Sequence, residues 1–302
     1  MIIPPYLKKG STIAVVATAR TADAQQIEAS KKILEDQGFK ITLSSNISAS
    51  FHRFAGDDST RRKAFQEALD DEKIDAIWLA RGGYGTVRII DEIDWTKFLK
   101  SPKWIIGFSD FTLVHLKLLQ LGIASIHACT FTQIHKFGVA NENVISTLEL
   151  LLNQNRKYSF PGSSFNKTGE IKAPLIGGNL TMICNSIGTS TQIKTEGCIL
   201  LLEDCDEYQY HYDRMLRQLK RAGLLKNLQG LILGDCSFKP EPGEINFGYS
   251  IEEMVLNLCS EYNFPICFNA PFGHALQNYG VKLNSFVSLN VSNEEVILEM
   301  FD

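Results

Sequence analysis

The chain has 302 residues, which is enough for two domains that each bury a core. A hydrophobic content of 44%, a charged content of 21% and a net charge of −4 are ordinary for a globular protein and argue against a nucleic-acid-binding surface. No stretch approaches the ~20 apolar residues of a membrane span, and no apolar signal segment follows Met1. We therefore expect a cytoplasmic protein that has neither nucleic acid nor membrane as a partner.

Apolar runs of strand type alternate with helical periodicity through the first half of the chain. Strands are predicted at residues 12–17, 39–43, 74–79, 104–106 and 123–126, and helices at residues 24–37, 59–69, 86–93 and 111–121. This alternation predicts an α/β domain with a parallel, flavodoxin-like sheet covered by helices. In such sheets, ligands bind beyond the carboxyl ends of the strands.

The pattern breaks at residues 154–169, a polar, turn-rich segment with the composition of a linker. Further strands are predicted at residues 171–176, 198–202, 228–233 and 265–269, and the alternating short runs of residues 281–300 are typical of antiparallel strands. We therefore predict an N-terminal domain of residues 1–153, a linker, and a C-terminal α/β domain of residues 170–302 with some antiparallel strands.

Seven cysteines are scattered through the chain without CxxC spacing. An odd number in this arrangement favours free thiols in a reducing compartment over a disulfide framework or a zinc site. Cys205 lies in an acidic segment, so a cysteine nucleophile is an open alternative there. A buried structural thiol is the more common role of such a residue.

Ser109 follows an apolar strand and precedes a helical pattern, so it lies on a tight strand-to-helix turn. There, free backbone N–H groups and the helix dipole favour a developing oxyanion. This is the arrangement of a nucleophile elbow, although G-x-S-x-G is not matched because Phe111 replaces the last glycine. The alternative is that Ser109 is an ordinary helix N-cap.

Residues 81–85, Arg-Gly-Gly-Tyr-Gly, directly follow the third predicted strand, and we call them the glycine loop. They match neither G-x-G-x-x-G nor a Walker loop. Three interpretations remain open from this stretch alone: a phosphate cradle, a turn whose backbone N–H groups approach a substrate carbonyl, or a plain tight turn.

An apolar predicted strand of the second half ends in a run of acidic residues that begins with Glu203. This residue is the best placed to orient a histidine, whereas Asp206 and Glu207 suit the start of the next helix. Among six histidines, His274 lies in a turn bounded by proline and glycine near a strand end, and His127 is the second candidate. A serine, a glutamate and a histidine at strand ends favour nucleophilic acyl transfer.

Five motifs together resemble the LD-carboxypeptidases, serine peptidases of murein recycling that are related to the microcin C immunity proteins. The motifs, in family order, are the glycine loop, Gly-Phe-Ser-Asp at 107–110, Leu-Ile-Gly-Gly-Asn-Leu at 175–180, Leu-Leu-Glu-Asp at 201–204 and Phe-Gly-His at 272–274. The chain departs from the family where His127 is followed by Ala-Cys instead of Gly-Pro. This departure bears on substrate preference more than on the catalytic residues.

The resemblance implies a role for each site residue. It implies Ser109 as nucleophile, His274 as general base, Glu203 as its orienting carboxylate, and the backbone N–H groups of Asp110 and of the Gly82-Gly83 turn as oxyanion donors. It further implies a homodimer that releases terminal D-alanine from a murein tetrapeptide by cleaving an L-to-D peptide bond, with no metal or organic cofactor. The alternatives are hydrolysis of an aminoacyl-nucleotide amide, and a non-enzymatic α/β protein whose glycine loop binds phosphate.

Overall fold

The computed structural model describes residues 1–240 and 247–301, and the chain divides into two compact units. The first unit comprises residues 1–154 and 279–282, and the second comprises residues 155–278 and 283–302. No helix in the described ranges is both long and apolar enough to cross a membrane.

The strands and helices are numbered in chain order. The strands are β1 Thr12–Val16, β2 Lys40–Leu43, β3 Ala76–Leu79, β4 Trp104–Gly107, β5 Ser125–His127, β6 Lys157–Pro161, β7 Gly169–Asn179, β8 Ile199–Glu207, β9 Gly230–Phe238, β10 Ile266–Cys267, β11 Val281–Leu283, β12 Ser285–Val291 and β13 Glu295–Met300. The α-helices are α1 Ala24–Asp36, α2 Asp58–Asp70, α3 Thr112–Gln120, α4 Phe131–Phe137, α5 Glu142–Leu151, α6 Leu180–Ser186, α7 Gln209–Arg221 and α8 Ile251–Leu258.

The first sheet has the order β11-β5-β4-β3-β1-β2, and β1 to β5 are parallel. The order 2-1-3-4-5 of these five strands is that of flavodoxin-like folds, which confirms the predicted fold class. Strands β3, β4 and β5 are buried along their whole length, as expected for a parallel sheet with both faces covered. Phe65, Trp95, Phe98 and Phe111 pack in the core cluster of this unit. Because β3 and β4 are paired in parallel, their carboxyl ends lie side by side at one edge of the sheet.

The second sheet has the order β10-β9-β8-β7-β12-β13-β6. Strands β7 to β10 are parallel, whereas β12, β13 and β6 join them as antiparallel neighbours. The alternation predicted for the end of the chain is confirmed, because every second residue of β12 is buried. Glu203, in the middle of β8, lies opposite Asn179, the last residue of β7, in the parallel pair of these strands.

The helix predicted at residues 86–93 is wrong. The chain forms two short 3₁₀ turns there, Thr86–Arg88 and Ile90–Glu92, because Ile89 adopts φ −125° between them and interrupts helical geometry. The isoleucines are spaced as in a helix, but the segment instead makes i to i+3 hydrogen bonds, such as that from the Ile89 N–H to the Thr86 carbonyl at 3.1 Å.

The segment predicted as a linker, residues 154–169, contains strand β6. Tyr158 and Phe160 are buried and alternate with the exposed Lys157 and Ser159, so one face of this edge strand covers the core. The strand pairs antiparallel with β13. The polar composition concealed this period-two pattern, because only two apolar residues carry it.

Candidate active site

Ser109 lies immediately beyond β4 in a strained turn. Its φ is +63°, a left-handed conformation that is uncommon for serine and that costs on the order of 1–3 kcal/mol. A 3₁₀ turn starts at Ser109 and leads into α3, and the N-cap positions of these two elements are Phe108 and Phe111. The interpretation of Ser109 as a helix N-cap is therefore wrong. The geometry is that of a nucleophile elbow.

Gly107 makes this turn possible through close packing. A Cβ atom there would lie 2.7 Å from Phe111 Cδ1 and 2.9 Å from Leu79 Cβ, so no other residue fits. The Gly107 carbonyl accepts a hydrogen bond from His115 Nε2 at 2.8 Å, and His115 Nδ1 lies 2.8 Å from Ser125 Oγ. Burial lowers the pKa of His115 to about 4, so this histidine is neutral, and its hydrogen bond stabilises the turn at Gly107.

The glycine loop lies directly against Ser109. A Cβ atom on Gly82 would lie 3.3 Å from Ser109 Cβ and 3.4 Å from its Oγ. The carboxylate of Asp110 is buried and accepts the backbone N–H groups of Gly85 at 3.3 Å and Thr86 at 2.9 Å. Burial raises the pKa of Asp110, although these two hydrogen bonds oppose the shift. Asp110 thus holds the end of the glycine loop through its side chain, a contact that its motif did not indicate.

Arg61 fixes the same loop from the other side. Its side chain is fully buried, and its Nη1 donates to the carbonyls of Thr18 at 2.5 Å and Gly85 at 2.9 Å, while Nε donates to Gly56 at 3.3 Å. It also pairs with Asp58. No sequence signal marks Arg61, because an arginine in an amphipathic helix normally points to solvent.

In the second unit, Glu203 and His274 form a hydrogen-bonded pair. Glu203 is fully buried on β8, and its Oε2 accepts from His274 Nδ1 at 2.7 Å. A Cβ atom on Gly273 would lie 3.0 Å from Glu203 Oε2, so a glycine is needed for the loop to approach this closely. The hydrogen bond from Nδ1 to the carboxylate fixes the orientation of the imidazole ring.

The charges around this pair favour a protonated imidazole. Burial lowers the pKa of His274, but hydrogen bonds with Cys205 and Glu203 and the negative charge of Glu203 outweigh it and raise the pKa above its ordinary value. Burial raises the pKa of Glu203, while His274 opposes that shift. Asp235 on the neighbouring β9 is a third acidic group that interacts with His274. The pair therefore retains its shared proton to higher pH than a free histidine would.

The acidic neighbours of Glu203 have separate partners. Asp204 is buried and accepts from Asn179 Nδ2 at 2.8 Å and from the Thr181 backbone at 2.8 Å, which joins the ends of β8 and β7. Glu207 accepts from the ring of His211, one turn into α7. Only Glu203 among these carboxylates contacts His274 in the described part of the chain.

His127, the second histidine candidate, is fully buried. Its ring packs against Phe108 with centroids 5.7 Å apart and against His115 with centroids 6.4 Å apart. These contacts place it in the core behind the elbow.

In the described ranges, no group of three or more His, Cys, Asp or Glu residues is arranged to hold a metal ion.

A strained serine beyond a parallel strand and a buried glutamate–histidine pair are features of serine hydrolases. Family models narrow this class: the LD-carboxypeptidase N-terminal domain matches residues 13–128, and the LD-carboxypeptidase C-terminal domain matches residues 172–289. The chain belongs to the LD-carboxypeptidase family, and it is a serine-type carboxypeptidase.

Relatives are similar over nearly the whole chain. A probable murein peptide carboxypeptidase of Bacillus subtilis is 28% identical over 301 residues, which are 98% of this chain and 94% of the relative. The crystal structure of muramoyltetrapeptide carboxypeptidase from Oxalobacter formigenes is 26% identical, with a TM-score of 0.88 over 97% of this chain and 99% of that one. An MccF-like protein from Bacillus anthracis is 21% identical, with a TM-score of 0.87 over 100% and 99% of the chains, and shows the shared fold alone.

Proposed function

We propose that this carboxypeptidase hydrolyses the L-to-D peptide bond before the terminal D-alanine of a murein tetrapeptide, with Ser109, His274 and Glu203 as its catalytic triad. The observation that carries the proposal is the buried Glu203–His274 hydrogen bond at 2.7 Å. Burying an ionisable pair contributes little to stability, so such a pair indicates a functional role. The names of the Bacillus subtilis and Oxalobacter formigenes relatives support the class of substrate.

In the acylation step, Ser109 Oγ forms a bond to the carbonyl carbon of the L-residue while His274 Nε2 takes the hydroxyl proton. Glu203 holds the imidazole through Nδ1 and stabilises the imidazolium that forms. The backbone N–H groups of Asp110 and of the Gly82-Gly83 turn donate to the oxyanion. General base and oxyanion effects of this kind are each worth about 10²–10³-fold or more in rate.

The intermediate then breaks the bond to the D-alanine nitrogen, and the imidazolium of His274 returns its proton to that leaving amine. The second half of the reaction repeats the pattern with water. His274 takes a proton from the water, the oxygen attacks the acyl-Ser109 ester, and Ser109 leaves with the proton. The mechanism requires His274 Nε2 to reach both Ser109 Oγ and the leaving nitrogen.

The experiment that tests this function is release of D-alanine from a murein tetrapeptide by the purified protein. The matched control is the same peptide ending in L-alanine, which an enzyme for an L-to-D bond should leave intact. A second arm uses an aminoacyl-nucleotide amide of the microcin type. Faster turnover of that amide than of the tetrapeptide would transfer the proposal to the alternative hydrolysis, which at present has only the shared fold in its favour.

We further propose a cytoplasmic homodimer. The family resemblance supports the dimer, and the seven cysteines, all of which are free thiols, suit a reducing compartment. Light scattering on a size-exclusion column would measure the mass in solution. A single species at the monomer mass of 33.8 kDa across a range of concentrations would contradict the dimer.

A further inference from the structure

Three segments that each carry an arginine meet at the glycine loop. Arg20 follows β1, Arg53 precedes α2, and Arg81 is the first residue of the loop itself. Arg20 pairs with Phe54 through an isolated β-bridge, and the backbone N–H that follows Arg20 donates to the Arg53 carbonyl at 3.3 Å. The fold of the first unit thus brings these three segments together, and the side chain of Arg20 lies against Gly83 of the glycine loop.

Contacts across the glycine loop limit how far Arg20 lies from Ser109. A Cβ atom on Gly83 would lie 2.6 Å from Arg20 Cδ and 2.7 Å from its Nε, and one on Gly82 would lie 3.4 Å from Ser109 Oγ. Because consecutive Cα atoms are about 3.8 Å apart, these contacts put Arg20 Nε at most about 13 Å from Ser109 Oγ.

A guanidinium that binds the C-terminal carboxylate of a peptide would lie within this distance of the nucleophile. The terminal carboxylate of a peptide lies about 4 Å from the carbonyl carbon of the bond before its last residue. With about 3 Å for the attacking oxygen and about 3 Å for a hydrogen bond, a guanidinium bound to that carboxylate lies up to about 10 Å from the nucleophile.

The three arginines have no counter-charge among the described residues. In the described part of the chain, none of them lies within ion-pair distance of a carboxylate, whereas Arg61, Arg62 and Arg88 of the same unit are each paired with one. Arg20 Nε is shielded from solvent and hydrogen-bonds to no described atom. Burial lowers the pKa of Arg20, and the charges of the other two arginines lower it further. Like charges held together in this way are stabilised when an anion binds between them.

We infer that Arg20, with Arg53 and Arg81, binds the C-terminal carboxylate of the peptide substrate. This inference rests on the proposed function and identifies how the enzyme recognises a chain end. A guanidinium offers paired N–H donors that match a carboxylate, whereas an internal peptide bond brings no anion to this position. The same contacts that bind the terminus set which bond lies at Ser109, so the chain loses one residue and no more.

The test compares two tetrapeptides that differ only in ending as a carboxylate or as a carboxamide. Wild-type enzyme should prefer the acid in kcat/KM. Arg20→Gln and Arg81→Gln should each lower kcat/KM for the acid by about 10- to 100-fold, mainly through KM, because a charged hydrogen bond is lost, and should affect the amide far less. Arg20→Lys should restore part of the preference. Arg62→Gln, which removes a partly exposed arginine that pairs with Glu92 at 3.2 Å, is the matched control and should change neither value.

The outcomes distinguish a failure of this inference from a failure of the proposed function. If wild type releases D-alanine while both glutamine variants keep its acid-to-amide ratio, the carboxylate site is overturned and the proposed function stands. If wild type releases no D-alanine, the proposed function and the carboxylate site are both overturned. A fluorophosphonate probe that reacts with Ser109 reports folding in each variant. Should Arg20→Gln fail to label, Arg81→Gln decides the question, because Arg81 is exposed and its loss leaves no cavity.

Discussion

The carboxylate of Asp110 accepts the backbone N–H of Thr86 at 2.9 Å, so the residue next to Ser109 in the chain holds the end of the glycine loop. It also accepts the Gly85 N–H at 3.3 Å and is only 2% exposed. The two sets of oxyanion donors that we propose, the Asp110 N–H and the Gly82-Gly83 turn, therefore belong to one hydrogen-bonded unit. Their spacing is set before substrate binds, which is the preorganisation that oxyanion stabilisation requires.

Asp110→Asn should loosen this unit. The amide keeps one acceptor oxygen but presents N–H donors to backbone N–H groups, so one buried bond is lost and the free energy of unfolding should fall by about 1–3 kcal/mol. The rate at which a fluorophosphonate labels Ser109 should fall by about 10-fold or more, because an oxyanion donor shifts. Urea unfolding and labelling kinetics measure the two effects.

Asp94→Asn is the control for that change. Asp94 is an exposed aspartate whose carboxylate accepts the Thr96 N–H at 2.9 Å, so the same change from carboxylate to amide is made in a surface turn away from Ser109. It should leave labelling at the wild-type rate. Equal losses of labelling in both variants would mean that Asp110 acts only through general stability.

Replacing Ser109 separates strain from catalysis. Ser109→Gly should abolish labelling and hydrolysis yet raise the free energy of unfolding by about 1 kcal/mol, because glycine adopts φ +63° without the steric cost. Ser109→Ala should also be inactive but no more stable than wild type, since alanine retains the Cβ. Denaturant unfolding of the three proteins checks the stability order. A destabilised glycine variant would show that the turn is not strained.

The reaction should favour alkaline pH. His274 acts as a base only when it is deprotonated. Burial lowers its pKa, but its hydrogen bonds with Cys205 and Glu203 and the charge of Glu203 outweigh burial and hold the pKa above the ordinary value of about 6.5. The value of kcat/KM should therefore rise as the pH increases above neutrality and level off once the imidazole has lost its proton.

A variant at Cys205 tests the cause of that shift. Cys205→Ala removes a hydrogen bond that raises the pKa of His274, so the acid limb of the profile should move to lower pH while the plateau rate changes little. The measurement is kcat/KM against pH for both proteins. If the midpoint of the acid limb in wild type lies at the ordinary histidine pKa of about 6.5, the surroundings do not raise the pKa of His274 in the working enzyme.

Local patterns were sufficient for the parallel sheet and for the turn at Ser109. Strands such as β3 and β4 are short apolar runs followed by polar turns, and each pattern reports on a few adjacent residues. The φ of Ser109 could not be predicted, because serine prefers other conformations and the surrounding packing of Gly107 and Phe111 imposes this one. The helix predicted at residues 86–93 was wrong because Ile89 adopts φ −125° and divides the segment into two 3₁₀ turns, which the spacing of its isoleucines does not indicate.

Contacts between distant residues account for most of what the sequence did not reveal. Arg61 donates to the Thr18 carbonyl 43 residues away, and nothing near Arg61 in the chain indicates that partner. Strand β6 pairs with a strand whose Glu295 lies 136 residues beyond Ser159. The 2.7 Å contact of Glu203 and His274 joins residues that are 71 apart in the sequence. It was anticipated because both residues follow apolar strands, whose ends meet at one edge of a sheet, and because the motifs resemble a known family.

The role of Glu203 can be distinguished from that of its acidic neighbours by amide substitutions. Glu203→Gln keeps the size of the side chain but removes the charge that stabilises the imidazolium, so kcat should fall by several orders of magnitude, on the scale of about 10⁴ seen for such changes. Glu207→Gln is the matched control, because Glu207 bonds a different histidine, His211, and should keep wild-type kcat. Asp206→Asn should also be nearly silent. Steady-state rates of D-alanine release measure all three, and equal losses at the three positions would mean that the orienting carboxylate is not Glu203.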